Sequence, residues 1–135
     1  MHCYLIDDDL EDQEIFALAL EKLGSPCTFA AATSASEALS KFEADPSFIP
    51  DIIFLDLNLP QMNGRQFLAE IKKKNDLKHI PVVIYSTSSL PTDIHETRLL
   101  GASDYMVKPP SIQILQKSIT SILEKLFPGD TKSVN

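Results

Sequence analysis

Five residues of this chain have the types and the spacing to handle a phosphoryl group, and each follows directly on a short apolar run or, for Asp8, on its neighbour. Asp7 and Asp8 come after Cys3-Tyr4-Leu5-Ile6, Asp56 after Ile52-Ile53-Phe54-Leu55, Ser86 after Val82-Val83-Ile84-Tyr85, and Lys108 after Asp104 to Val107. Carboxylates at 7, 8 and 56 held close together repel, and one must take up a proton unless a cation intervenes. A hard divalent ion such as Mg2+ answers that, because it takes oxygen ligands, keeps several waters, and is commonly held by one or two carboxylates plus a phosphoryl oxygen. Lys108 adds a compact positive charge for one phosphoryl oxygen, and the Ser86 hydroxyl can donate to another. An Asp carboxylate can itself be the nucleophile that forms an aspartyl phosphate.

Competing chemistries lack their residues. Zinc asks for Cys or His ligands, and His2, His79 and His95 neither pair at i, i+4 spacing nor sit beside a Cys. A Walker loop or a Gly-x-Gly-x-x-Gly dinucleotide turn is absent after the first apolar run, where acidic residues stand instead. No Gly-x-Ser-x-Gly nucleophile elbow occurs.

The elements that must position these residues follow from periodicity. Short apolar runs, of the kind buried on both faces of a parallel sheet, alternate with longer segments whose apolar residues recur three and four apart. The first helix carries Ile15, Phe16, Leu18, Ala19, Leu20 and Leu23 as its apolar face and stops at Gly24-Ser25-Pro26. A weaker strand from Thr28 to Ala32 precedes a second helix, opened by a Ser34/Glu37 capping box, bearing Ala38, Leu39 and Phe42, and ending before Pro46. The third strand ends at Asp56, and a loop from Leu57 leads to Gly64 and a third helix with Phe67, Leu68 and Ile71. A fourth strand opened by Pro81 and a fourth helix from about Thr92 to Leu100, stopped at Gly101, come next. The fifth strand, Asp104 to Val107, leads through Lys108-Pro109-Pro110 to a helix with Ile112, Leu115, Ile119, Ile122, Leu123 and Leu126. Five strand-helix units need right-handed parallel crossovers, which predicts an α/β, doubly wound sheet with helices on both faces. In such sheets ligands bind at the carboxyl ends of the strands, where the five residues would converge.

These motifs, in this order, resemble the response-regulator receiver family of two-component signalling. They are Leu5-Ile6-Asp7-Asp8-Asp9, Asp56-Leu57-Asn58-Leu59-Pro60 followed by Gly64, Ser86-Thr87, and Gly101-Ala102-Ser103-Asp104-Tyr105 with Lys108-Pro109. The resemblance covers residues 3 to about 127 and implies a flavodoxin-like, five-stranded sheet of order 2-1-3-4-5. It implies that Asp56 accepts a phosphoryl group from a sensor histidine kinase or histidine phosphotransfer protein. Mg2+ would be held by Asp8, Asp56 and the backbone carbonyl of Asn58, with Asp7 reaching it through a water. Ser86 would contact the phosphoryl group and Lys108 pair with it, while Tyr105 matches an aromatic switch position. The peptide bond before Pro109 is typically cis in the family. Phosphorylation would switch a protein-binding surface on the fourth helix, fifth strand and fifth helix. Asp9, Glu11 and Asp12 read differently, as a solvated helix start that complements the macrodipole.

Composition narrows the class. The chain has 135 residues, 44% of them hydrophobic, with four Gly and nine Pro, as a globular domain has. A receiver domain over residues 1–127 and a polar tail over 128–135 are expected. A formal charge of −7 offers no basic footprint for nucleic acid. No stretch has the ~20 apolar residues of a membrane span and no signal-peptide pattern opens the chain, so a soluble, cytoplasmic protein is expected. Cys3 and Cys27 read as buried, reduced thiols. With no effector domain after residue 127, output is expected through a downstream protein, from a monomer or weak dimer.

Two other functions fit parts of this pattern. An aspartyl-nucleophile phosphohydrolase uses Asp-x-Asp, whose second Asp is the acid/base; here that position is Asn58, which cannot do that work. A binding scaffold that keeps the fold and is never phosphorylated is the other, and retention of all five site residues argues against it.

Overall fold

The computed structural model describes residues 1–23 and 27–129. Gly24-Ser25-Pro26, read above as the stop of the first helix, and the tail from residue 130 lie outside the described residues. The elements are β1 (His2–Ile6), α1 (Leu10–Lys22), β2 (Thr28–Ala32), α2 (Ala35–Ala44), β3 (Ile52–Leu55), α3 (Gly64–Lys73), β4 (Val82–Ser86), α4 (Pro91–Leu99), β5 (Asp104–Val107) and α5 (Ile112–Leu126). All strand pairs are parallel, in the order β2-β1-β3-β4-β5, so the doubly wound expectation holds.

Side chains of a strand alternate between faces, and here both faces are apolar. Cys3, Leu5, Ile52, Phe54, Val83 and Tyr85 meet Phe16, Ala19 and Leu20 of α1 and Leu115, Ile119 and Leu123 of α5. Tyr4, Ile6, Ile53, Leu55, Val82 and Ile84 meet Ala38 and Phe42 of α2 and Phe67, Leu68 and Ile71 of α3. Because neither face has room for a polar group, charged side chains are confined to the strand ends.

The ladder continues one residue past the strands and fixes those ends against one another. Asp7 N–H donates to Ala32 O at 3.0 Å, Asp56 N–H to Ile6 O at 3.0 Å, and Lys108 N–H to Ser86 O at 2.7 Å. α4 is attached differently. Among its residues only Thr97 is buried, and its link to α3 is ionic, from Arg65 to Asp93 and to Glu96, the latter at 3.2 Å.

Several local expectations need correction. Ile15 and Leu18 are 44% and 43% exposed, because α1 has more apolar residues than the one stripe facing the sheet and α5 can cover. Ser34 does cap α2, accepting from Glu37 N–H at 3.0 Å, but the Glu37 carboxylate accepts from Thr33 N–H and Thr33 Oγ1, one residue too early for a capping box. The full capping box belongs to α3, where Asn63 Oδ1 accepts from Gln66 N–H and Gln66 Oε1 accepts from Asn63 N–H. Cys3 is buried, and burial pushes its thiol up to about 12, whereas Cys27 is only half-buried.

Gly64 opens α3 directly against the backbone of the loop after β3. A Cβ there would lie 2.4 Å from Asp56 O and 2.8 Å from Leu57 Cα, contacts no flexible side chain can relieve. Gly64→Ala is therefore expected to cost about 1–3 kcal/mol through displaced backbone. A lowered urea midpoint checks this, and an unchanged one contradicts it.

Candidate functional site

At the carboxyl ends of β1 and β3, Asp7 and Asp56 are almost wholly buried, while Asp8 next to them is exposed. These three offer carboxylate oxygens within 4.8 Å of one another. Lys108, arriving from the end of β5, places its Nζ 2.8 Å from Asp7 Oδ2, 2.8 Å from Asp12 Oδ2 and 3.1 Å from Asp56 Oδ2. The ammonium lies 5.3 Å from the centroid of the Tyr85 ring, which closes the apolar side of the site. The other Asp56 oxygen, Oδ1, accepts from the backbone N–H of Asn58 at 3.0 Å.

One ammonium thus serves three carboxylates, and the consequences differ for the partners. Burial alone would lower the pKa of Lys108, but hydrogen bonds to Asp12 and Asp7 and the charges of Asp56 and Asp7 outweigh it and hold the lysine above its ordinary range. For Asp7 the balance is opposite. Burial pushes its carboxyl up to about 6, against the pull of hydrogen bonds from Lys108 and from Asp9 N–H, and the charge of Asp56 pushes the same way. Four carboxylates face a single lysine, a surplus of negative charge carried by hard oxygen donors. Neither His nor Cys joins the cluster. Such a donor set fits Mg2+ or Mn2+ and does not fit zinc.

Ser86 is the buried hydroxyl at the end of β4; Thr87 beside it is exposed and Ser88 half-buried. Ser86 Oγ accepts from Ser88 N–H at 3.1 Å, Ser88 Oγ donates to Asp93, and Asp93 accepts from Arg65. These bonds hold the Asp93 carboxyl below its usual range. Tyr105, half-buried on the α2–α3 side of the sheet, donates from its hydroxyl to Ser88 O at 2.8 Å. Its hydroxyl is therefore bonded inward. The peptide bond between Lys108 and Pro109 is trans, the ordinary X-Pro isomer, unlike the typical family state.

The expected residues Asp7, Asp8, Asp56 and Lys108 meet at one edge, with Ser86 at the end of the neighbouring strand. Asp12 is the correction. Its sequence position predicts a solvated helix start, yet its carboxylate binds Lys108 as closely as that of Asp7 does. Asp9 does fit that reading, since its side chain caps Asp12 N–H at 3.1 Å. Gln13, also missed, ties down the loop by donating from Nε2 to Asp7 O at 2.7 Å and Ala32 O at 3.2 Å. Local sequence carries no signal for either, since both stand in the first turns of α1, where polar residues are ordinary, and their partners are set by the tertiary fold.

The response regulator receiver domain model matches residues 3–120. The chain belongs to that family. A two-component response regulator of Oryza sativa subsp. japonica, ORR12, is 32% identical over 121 residues, 90% of this chain and 97% of the relative. Among solved structures, the phosphorylated cyanobacterial phytochrome response regulator RcpA superposes with a TM-score of 0.81 at 32% identity, over 91% of each chain. The Mn2+-bound form of response regulator Rcp1 also superposes at 0.81, with 28% identity and 95% of each chain covered. As a receiver domain, the chain is of a kind that interacts with histidine kinases and downstream targets in two-component systems. No helix among the described residues is long and apolar enough to cross a membrane.

The position of Asp7 carries a stability cost. Its folded-state pKa lies above the ordinary 3.8, so the ionised form is disfavoured by folding; the cost is complete above about pH 6 and vanishes toward about pH 4, where both states are protonated. In metal-free buffer, Asp7→Asn is expected to raise stability at neutral pH by about 1–3 kcal/mol, a gain that shrinks as the pH falls. Denaturant midpoints across that range check this, and a pH-independent difference contradicts it.

Proposed function

We propose that this protein is a phosphoacceptor: Asp56 takes a phosphoryl group from a phosphohistidine on a histidine kinase or phosphotransfer protein. The observation that carries the reading is the setting of the Asp56 carboxylate, nearly buried, with one oxygen held by Asn58 N–H and the other by Lys108, beside the acidic pair Asp7 and Asp8. In the transfer an Asp56 oxygen forms the new bond to phosphorus as the bond from phosphorus to the imidazole nitrogen breaks, and that nitrogen leaves with the electron pair. Lys108 faces the transferred charge, and Asn58 N–H keeps the carboxylate oriented.

Asp7, Asp8, Asp56 and the backbone carbonyl of Asn58 would hold a divalent ion. When bound, it supplies neutralisation of the carboxylates and electrostatic attraction for phosphoryl oxygens. Mg2+ is the ion proposed, from the hard oxygen donors; the Mn2+ of Rcp1 is of the same chemical class. The receiver unit is taken to span residues 1–127. It processes only its own phosphoryl group and is a signalling switch, not an enzyme acting on other substrates.

The switching surface is proposed to be α4, β5 and α5. Supporting this, Ser86 is joined through Ser88 to Asp93 on α4 and to Tyr105 on β5, so a shift of the Ser86 hydroxyl toward Asp56 would disturb both. Leu99 of α4 is 74% exposed, and Leu90 at the start of α4, Val107 of β5 and Ile114 of α5 are also exposed, which suits elements that meet a protein partner. Intact-mass spectrometry after treatment with acetyl phosphate and Mg2+ tests the reading. One added phosphoryl group is expected in the wild type and none in Asp56→Asn or without metal. Uptake by Asp56→Asn, or none by the wild type from either acetyl phosphate or a phosphohistidine donor, would overturn it.

A further inference from the structure

An ammonium has three N–H donors, and all three of Lys108 are engaged, with Asp7, Asp12 and Asp56. The contact to Asp56, at 3.1 Å, is the longest. The three partners are not equivalent. Asp7 and Asp56 belong to the trio whose oxygens converge for a cation, while Asp12 does not. A dication seated among Asp7, Asp8 and Asp56 would compete with Lys108 for two of its partners and repel the ammonium as well. Asp12 is the one carboxylate that belongs to the lysine alone.

We propose that Asp12 is a positioning residue that anchors the Lys108 ammonium beside a bound divalent cation, keeping one donor aimed at Asp56 and at whatever group Asp56 carries. This rests on the reading of Asp56 as the phosphoacceptor. The local structure is suited to the task. Asp12 stands in the first turn of α1, whose start is fixed by the Asp9 cap at Asp12 N–H and by Gln13 binding the Asp7 and Ala32 carbonyls. The root of Lys108 is fixed by its N–H to Ser86 O. Two rigid attachments, one on α1 and one at the end of β5, therefore meet through a single 2.8 Å ion pair. The Asp12 side chain is 29% exposed, so its carboxylate gives up hydration to make that contact and can be replaced without opening the core. If one phosphoryl oxygen takes the place of the Asp56 oxygen, the contact to Asp12 need not change.

The test is NMR of the full chain carrying 13C-labelled lysine, with the Lys108 Cε–Hε signal assigned by its loss in Lys108→Arg. The Tyr85 ring, 5.3 Å from the ammonium, is expected to shift that signal away from those of exposed lysines. On titration with Mg2+ alone, the wild-type signal is expected to stay ring-shifted. In Asp12→Ala it should move to the exposed-lysine position, and Asp12→Asn, which keeps an acceptor oxygen, should fall between. Phosphorylation by acetyl phosphate at saturating Mg2+ is read alongside, where Asp12→Ala should be slower by about tenfold, the value of one charge-assisted hydrogen bond. That slowing should disappear in a Lys108→Ala background, as required if Asp12 acts through the lysine. A Lys108 signal in Asp12→Ala that matches the wild type throughout the titration would overturn the proposal. Displacement of Lys108 in Asp12→Ala with no phosphorylation of the wild type by acetyl phosphate or by a phosphohistidine donor would uphold the positioning role and instead defeat the phosphoacceptor reading.

Discussion

The structure turns on one ammonium group shared by three carboxylates at the carboxyl edge of a parallel sheet. Charges taken out of water persist only when paired and hydrogen-bonded, and here the pairing is incomplete, since negative groups outnumber the lysine. This incompleteness is possible because everything beneath it is apolar and tightly packed. Strands buried on both faces give the sheet its stability, and the ladder bonds that run one residue past β1, β3 and β5 carry that rigidity into the site. The burial cost at Asp7 and the opening for a hard cation thus have the same origin.

Rigidity is unevenly distributed. α1, α2, α3 and α5 each bury several side chains against the sheet, but α4 buries only Thr97 and is held to α3 by Arg65. Polar contacts of this kind are cheap to break and remake compared with packed apolar ones. The element best able to shift is therefore the one hydrogen-bonded, through Asp93 and Ser88, to the buried Ser86 hydroxyl at the end of β4. Such a division, with a fixed carboxylate edge and a loosely attached helix hydrogen-bonded to the neighbouring strand end, is what the proposed two-state surface requires.

Much of this was legible in the sequence because burial on both faces leaves a plain mark. An uninterrupted apolar run followed at once by Asp, Ser or Lys marks a strand and its functional end together, and four such runs placed Asp7, Asp8, Asp56, Ser86 and Lys108. What stayed hidden involves residues whose type fits an ordinary local role. Asp12 looks like any acid in the first turn of a helix, and only the approach of Lys108 from 96 residues away gives it another partner. Arg65 and Asp93, 28 residues apart on different helices, leave no periodic signal. Ile15 and Leu18 mislead in the other direction, since periodicity counts apolar residues without knowing how wide a stripe the neighbours can cover. Glu37 was displaced from its capping box by Thr33, whose N–H and hydroxyl together bind the carboxylate.

The most direct measurement is the thermal unfolding midpoint at neutral pH with and without millimolar Mg2+, for the wild type and for Asp8→Ala. Asp8 is exposed and lies on the open side of the trio, so its removal should leave the fold intact while taking away a ligand. If the carboxylates form a cation site, Mg2+ raises the wild-type midpoint by mass action and does so far less in Asp8→Ala. An unchanged wild-type midpoint, or an equal rise in both proteins, would contradict it.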